Sequence, residues 1–591
     1  MALWLTVVMY LRFSQRTNSD GTVVRYVALA HNRRVDGKVK PDVLMNLGRV
    51  DRLDVGGLLR LAASIRKHFG DGDGDGDGPS DSSEAGLAAG AAPMAVIDAR
   101  PIGTVWLLDA LWARLEIGAS IKQVADGRRF TTAVERVLFA LVANRAIEPM
   151  SKLSAAEWAG QDVVIPGLAG MDDDQAYRAM DLLVEADTQG GVQQAVFFAV
   201  ANLLNLEVDV LFFDTTSTYF QRDTEDPDEP SEGGDGGGRE GFRRYGKSKD
   251  HRDDLPQIII GLAVTREGIP VRCWCWPGNT QDQTVLAEVK DDLRAWKLGR
   301  VITVVDRGFS SADNLAYLRR AGGHYIAGMR MRDGNALVEA ALSRQGRYQT
   351  VRDNLRVKEV RLDGTDQRFV ICHNPDQAVR DKAKRDEAIG RIQAELDRIR
   401  TQRERDRTRQ LSDTARGKAE AAHLRAECAL RDHPTLGRWL RQQRNGRLVI
   451  DRAKVTAEAR LDGKYLLATS DPDLPAEDVA LGYKNLLEAE RGFRDLKSQL
   501  LLRPVFHRLE HRIRAHVLLC WLALLLTRVA ERSCEQSWRR IHRETSRLQQ
   551  ITLAGEAGTI VQTTPLRPSQ RGIYQALSID PPPRVSAFDP A

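Results

Sequence analysis

Apolar positions along this chain change period several times, and each change predicts a different element. In VDVLFFDTTSTYF, five of the six residues from Val208 to Phe213 are apolar, the pattern of a strand covered on both faces. That strand is expected to end at Asp214, where small hydroxyl residues begin. QIIIGLAVTREGIPVRCWCWPGN then reads as two strand-like runs joined by a Glu267-Gly268 turn, a β-hairpin signature. RVITVVDRGFSSADNLAYLRRAG repeats the first design, with an apolar strand, Asp306 at its end, and Ser311 as N-cap of a helix. Two such strands in one sheet would bring both carboxylates to one sheet edge, where open α/β sheets bind ligands.

A different period governs Leu481 to Leu526. Tyr483, Glu490 and Lys497 recur every seven residues, two helical turns, which predicts one helix carrying all three on one face. Leu486, Leu487 and Phe493 border that face and set Glu490 at the edge of a core. Glu488 shares the opposite, polar face with Lys484, Asn485, Arg491 and Asp495. A carboxylate beside apolar neighbours is costly unless a lysine, an arginine such as Arg494, or a metal ion pairs with it. Val517 to Leu526 follows as ten apolar residues, too short to span a bilayer and right for a buried helix.

The rest of the chain divides by the same signals. Residues 1–69 form a small β-rich module with an Asp36-Gly37 turn and a closing helix. Residues 70–100 begin GDGDGDGDGPSDSSEAG and read as a disordered linker; the Asp-Gly alternation lacks the glutamate and spacing of a calcium-binding loop. Residues 101–206 are helical in pattern, with Thr132 and Glu135 as a capping box, and suit either DNA binding or dimerisation. Residues 331–480 hold short strand-like runs and then a charged stretch. There Ile389, Ile392, Leu396 and Ile399 predict a long amphipathic helix or helical hairpin, either a solvated face or a DNA-facing arm. That leaves 207–330 with 481–535 as a core and 536–591 as a C-terminal tail.

Composition narrows the function classes. At 591 residues the chain exceeds one core. Its net charge of +5 hides acidic tracts that offset strongly basic ones, which permits nucleic acid as partner. Six cysteines with no CxxC pair speak against a disulfide framework or a zinc site and fit a reducing cytoplasm. Cys273 and Cys275 alternate with Trp274 and Trp276 as strand packing. The opening MALWLTVVMYLRF lacks a basic n-region and a cleavage site and reads as a strand, so no membrane partner is expected.

Asp214, Asp306 and Glu490 form a carboxylate triad. Oxygen-only ligands select hard divalent ions such as Mg²⁺ or Mn²⁺. Two such ions about 4 Å apart can activate a hydroxyl and stabilise the leaving oxygen of a phosphodiester. Arg494 and Lys497, one and two turns past Glu490, would face the phosphate backbone.

With these residues in place, the chain resembles the DDE transposases of bacterial insertion sequences, in the group marked by a Tyr, Arg, Glu, Lys signature. Tyr483, Leu486, Glu490 and Lys497 stand at the signature's spacings, with Leu486 in place of the arginine. FFDTTS with Asp214 and VVDRGFSS with Asp306 resemble the two acidic motifs, and PGNTQDQTVL resembles the usual approach to the second. The resemblance implies an α/β fold: a ribonuclease-H-like mixed sheet with flanking helices, interrupted by a mixed strand and long-helix insertion, after N-terminal β/α and helical modules. It implies Asp214, Asp306 and Glu490 as catalytic metal ligands for Mg²⁺ or Mn²⁺, with Tyr483, Arg494 and Lys497 toward double-stranded DNA. It further implies endonuclease action at terminal inverted repeats and joining to target DNA by a homodimer. The rivals are a metal-dependent nuclease that does not join strands and a non-catalytic DNA-binding descendant.

Overall fold

A computed structural model describes residues 9–17, 23–35, 38–50, 53, 94–125, 133–206, 208–228, 240–298, 301–556 and 558–590. The Asp36-Gly37 turn, the helix expected before residue 69, the linker from 70 to 93, and Thr132 lie outside these residues. Strands β1 (Met9–Thr17), β2 (Val23–Val35) and β3 (Lys38–Arg49) form an antiparallel sheet in that order. Strand β4 (Ala95–Pro101) leads into helices α1 (Gly103–Arg114), α2 (Ile117–Ala125), α3 (Val134–Ile147), α4 (Lys152–Gln161), α5 (Asp173–Gly190) and α6 (Val192–Leu203). The capping box expected of Thr132 and Glu135 therefore lies outside the described residues; Ala133 is the N-cap of α3, and Glu135 turns inward to accept from Trp112 Nε1 at 2.6 Å.

The central region runs β5 (Val210–Tyr219), β6 (Gln257–Thr265), β7 (Pro270–Pro277), α7 (Leu286–Ala295), β8 (Ile302–Val305), α8 (Ala312–Arg319) and β9 (His324–Met329). β6 pairs antiparallel with β5 and β7 antiparallel with β6, and in the turn between β6 and β7 Gly268 takes φ +76°, a left-handed conformation that favours glycine. β8 pairs parallel to β5, and β9 parallel to β8. Parallel neighbours need crossovers, and α7 and α8 supply them.

Next come α9 (Ala336–Ser343), β10 (Gln349–Arg352), β11 (Leu355–Arg361), β12 (Arg368–His373), α10 (Pro375–Thr408), α11 (Asp413–Arg431), β13 (Leu440–Gln442), β14 (Leu448–Ile450), α12 (Arg452–Ala459) and β15 (Lys464–Thr469). Among the described residues nine strands make one sheet, ordered β10-β11-β12-β15-β9-β8-β5-β6-β7. The expected insertion is therefore not separate from the core: its strands extend the core sheet, because β15 pairs antiparallel with β9. The helical hairpin of α10 and α11 stands off that sheet on its own small cluster around Ile392, Leu430 and Trp439.

The chain closes with α13 (Ala476–Lys484), α14 (Leu487–Ser498), α15 (Glu510–Cys534), α16 (Trp538–Thr545), β16 (Gln549–Gly555), β17 (Gly558–Thr563), α17 (Pro568–Ala576) and β18 (Val585–Pro590). Residues 536–591 are not a tail. They form the antiparallel sheet β18-β17-β16-β4, and β4 claims residues 95–100 from the expected linker. Exposed Val96 and Ile97 show why composition concealed that strand: its apolar residues face outward.

Alternation along β5 builds the core on both faces of the sheet. Leu211 and Phe213 pack with Trp274, Trp276 and Val289 on one side. Val210 and Phe212 pack with the cluster of α13, α14 and α15 on the other. α15 is buried over 94% of its most apolar window, which makes it a core helix. Each large apolar side chain so buried contributes roughly 1.5–3 kcal/mol.

Candidate active site

β5 does not end at Asp214. Thr215 to Tyr219 continue the ladder against Gln257 to Gly261, and Thr215 to Thr218 are buried despite their hydroxyls. What ends there is the parallel partner: Phe213 pairs with Val305, the last residue of β8. The next residue on each chain is a carboxylate, so Asp214 and Asp306 stand side by side. Both share the parity of Phe212 and Val304, whose side chains enter the cluster under α13 and α14.

α13 places Tyr483 over this edge. Its hydroxyl donates to Asp306 Oδ1 at 2.7 Å, and the ring stacks on Tyr465 at 6.0 Å between centroids. Gly328 on β9 lies beneath the phenol, and a Cβ there would overlap the hydroxyl oxygen. Burial pushes the Tyr483 phenol well above its usual range, and the charge of Asp306 pushes it further, so Tyr483 remains a donor.

The expected single helix through Tyr483, Glu490 and Lys497 is broken. α13 stops at Lys484, and Leu486 N bonds to Tyr483 O while Glu488 N bonds to Asn485 O, tight three-residue steps that turn the next helix. Ala489, Gly492, Phe493 and Leu496 become the buried face of α14. Glu490 stands off that face and is exposed, whereas sequence spacing set it at a core edge. The face expected to be polar also packs: Asp495 pairs at 2.5 Å with Arg528, buried on α15. Leu487 is 55% exposed, while Leu486 is buried where the signature has arginine.

Glu490, Asp306 and Tyr483 nevertheless line one cavity of about 920 Å³, with Arg307, Arg330 and Lys484 on its wall. Lys497 faces elsewhere. Its ammonium donates to Asp250 at 2.9 and 3.1 Å, and Arg503 pairs with the same carboxylate at 3.0 Å. Burial lowers the Lys497 pKa, and Asp250 opposes that. Arg494 is exposed on α14.

Two residues that sequence reasoning missed complete the Asp214 side. Lys249 Nζ lies 3.9 Å from Asp214 Oδ1 and 3.3 Å from Asp282 Oδ2, and donates to Thr215 O at 2.8 Å. Asp282 accepts from Thr215 Oγ1 at 2.5 Å. Burial lifts the Asp214 carboxyl to about 6; Lys249 works against that, and the charges of Asp306 and Asp282 add to it. Both newcomers sit in polar loops, in GKSKDHRDDLP and PGNTQDQTVL, and only the sheet brings those loops to Asp214.

Among the described residues no three His, Cys, Asp or Glu side chains gather closely enough to hold a metal ion. Asp214 faces Lys249, Asp306 accepts from Tyr483, and Glu490 projects into the cavity. The donor set fits a hard divalent ion in chemistry, since every candidate ligand is a carboxylate.

The chain belongs to the transposases with a DDE domain: residues 209–526, more than half of its length, match the transposase DDE domain. Residues 11–76 match the N-terminal domain of IS1634 family transposases, which makes this a transposase of an insertion sequence. No curated protein matches it. A solved structure it resembles is a piggyBac transposase synaptic complex with hairpin DNA, at 10% identity, over 75% of this chain and 79% of that one, with a TM-score of 0.33.

Proposed function

We propose that this transposase cuts DNA at the ends of its element and joins the freed 3′-hydroxyls to target DNA, with Asp214, Asp306 and Glu490 as the catalytic carboxylates. The observation that carries the reading is the pairing of Phe213 with Val305, which sets two carboxylates side by side on the sheet face covered by the helix of Glu490. The order β7-β6-β5-β8-β9, with an antiparallel hairpin on one side and two parallel strands on the other, supports a ribonuclease-H-like core. The strands and long helices between β9 and α13 are then its insertion.

Mg²⁺ or Mn²⁺ held by the three carboxylates would supply Lewis-acid stabilisation of the attacking and leaving oxygens. The chain's own residues do the rest. Tyr483 fixes the Asp306 carboxylate by its hydrogen bond, and Lys249 balances charge beside Asp214. Arg307, Arg330 and Lys484 offer donors to phosphate oxygens along the cavity wall, positioning contacts that carry no sequence information. Exposed Arg494 extends them along α14. Element ends and target DNA are the partners in this reading, held by a homodimer so that two ends are joined together.

The test uses the element's own flanking DNA with Mg²⁺. Asp214→Ala, Asp306→Ala or Glu490→Ala is expected to abolish cleavage and transfer while DNA binding persists. Retained strand transfer by the Glu490→Ala protein refutes the assignment. Pre-cleaved ends separate a transposase from a nuclease, since only the former joins them.

A further inference from the structure

Between α14 and α15 the chain holds an aromatic ring out to solvent. Phe506 is 72% exposed, although Leu500 and Leu502 beside it are fully buried. The start of the loop, before Phe506, is pinned from several directions. Leu500 N bonds to Asp495 O at 2.9 Å and Leu502 N to Leu496 O at 2.8 Å. Arg145, from α3, donates to Leu501 O at 3.3 Å, and His516 Nε2, from α15, donates to Leu502 O at 3.0 Å. Solvation alone would favour folding so large an apolar group away. The ring nevertheless stands outward, at the mouth of a cavity.

Phe506 lines a cavity of about 790 Å³ together with Arg222, Arg243, Lys497, Arg503 and Arg508; Asp226 pairs with Arg222 and Arg243, and Asp250 with Lys497 and Arg503, while Arg508 has no ion pair among the described residues. Arg503 also lies over the Tyr219 ring at 4.8 Å, so cation and aromatic surfaces are interleaved. The cavity adjoins the catalytic side through adjacent residues: Lys497 holds Asp250, and Lys249 faces Asp214. A space of this size takes about one or two nucleotides rather than a duplex. Exposed aromatics set among cations form the usual platform for unpaired nucleic acid, with bases stacked on the rings and phosphates on the cations.

The geometry points to this cavity as a site for unpaired nucleotides of the DNA strand at the catalytic carboxylates, with a base stacked on Phe506 and its phosphates on Arg503 and Arg508. It rests on the transposase reading, because the ligand is that reaction's own strand.

Fluorescence anisotropy with a fluorescein-labelled duplex bearing a single-stranded tail, beside the same duplex with blunt ends, tests it in the full-length protein. Phe506→Ala is expected to weaken binding of the tailed duplex about tenfold and leave the blunt duplex unchanged, the loss of one base stack. Phe506→Trp is expected to restore the tailed duplex. Arg508→Gln is expected to weaken the tailed duplex, to lower its salt dependence by about one phosphate contact, and to leave the blunt duplex unchanged. Unchanged binding of the tailed duplex by Phe506→Ala, or equal loss on both duplexes, overturns the site and leaves the transposase reading standing. Failure of the unmodified protein to bind either duplex overturns both.

Discussion

The Tyr483 hydroxyl donates to Asp306 Oδ1 at 2.7 Å across 177 positions of sequence, and it can do so because residue 328, beneath it, is glycine. This contact joins a residue of the signature to the second acidic motif. The family resemblance implied Tyr483 toward DNA; in the fold its hydroxyl bonds the carboxylate.

Tyr483→Phe keeps the ring and deletes the bond, so it is expected to cost the fold only about 1 kcal/mol. Cleavage should fall far more, because Asp306 loses its orientation. Gly328→Ala should reproduce that defect without touching any catalytic group, and should cost roughly 1–3 kcal/mol for the displaced phenol. Chemical denaturation and single-turnover cleavage of both variants check this. Full activity in Gly328→Ala would show that the contact is not needed.

The Asp214 carboxyl, lifted by burial to about 6, makes stability depend on pH. A raised carboxyl pKa means the folded state keeps the proton that the unfolded chain releases. Its contribution is therefore complete below about pH 4 and lost as pH rises through 6. In chelator, Asp214→Asn should be more stable than the unmodified protein above pH 6, by roughly 2 kcal/mol, and lose that advantage near pH 4. Adding Mg²⁺ at pH 8 should stabilise the unmodified protein and not the variant. Thermal unfolding across this range decides it.

Lys497 and Arg494 should separate cleanly. Lys497→Ala leaves the largely buried Asp250 with Arg503 alone and is expected to destabilise the fold by about 1–3 kcal/mol. Arg494→Ala, exposed, should change stability by less than about 0.5 kcal/mol. Its effect should appear instead as weaker DNA binding with a salt slope reduced by about one phosphate contact. Denaturant melts beside salt titrations of binding distinguish the two.

The thiols report the packing directly. Cys273, Cys275, Cys372, Cys520 and Cys534 are buried, and Cys428 on α11 is half-buried. Burial pushes the Cys275 and Cys372 thiols up to about 12 and Cys534 to about 11. Brief alkylation of the native protein at neutral pH should modify Cys428 alone, with the others reacting only after unfolding. Peptide mass spectrometry reads the pattern.

Alternation and apolar runs sufficed to set the two aspartates on one sheet face. Phe212 with Asp214, and Val304 with Asp306, share parity on two strands buried on both faces, and a sheet has only two faces for side chains to take. The buried helix around Val517 to Leu526 and the long helix around Ile392 were legible for the same reason, since burial at a helical period leaves a mark in the residues themselves. What the sequence by itself could not decide was phase and partnership. Three-residue hydrogen-bond steps at Asn485 and Leu486 turned α14 away from the seven-residue register, which exposed Glu490 and sent Lys497 to Asp250. Lys249 and Asp282 lie in polar loops with no periodicity, and β4, which pairs with β16, carries outward apolar residues. Their places depend on contacts made across tens to hundreds of residues, and pairing at that range leaves no local pattern to read. Only the tertiary structure, by setting β8 beside β5 and Gly328 beneath Tyr483, determined which of these groups meet.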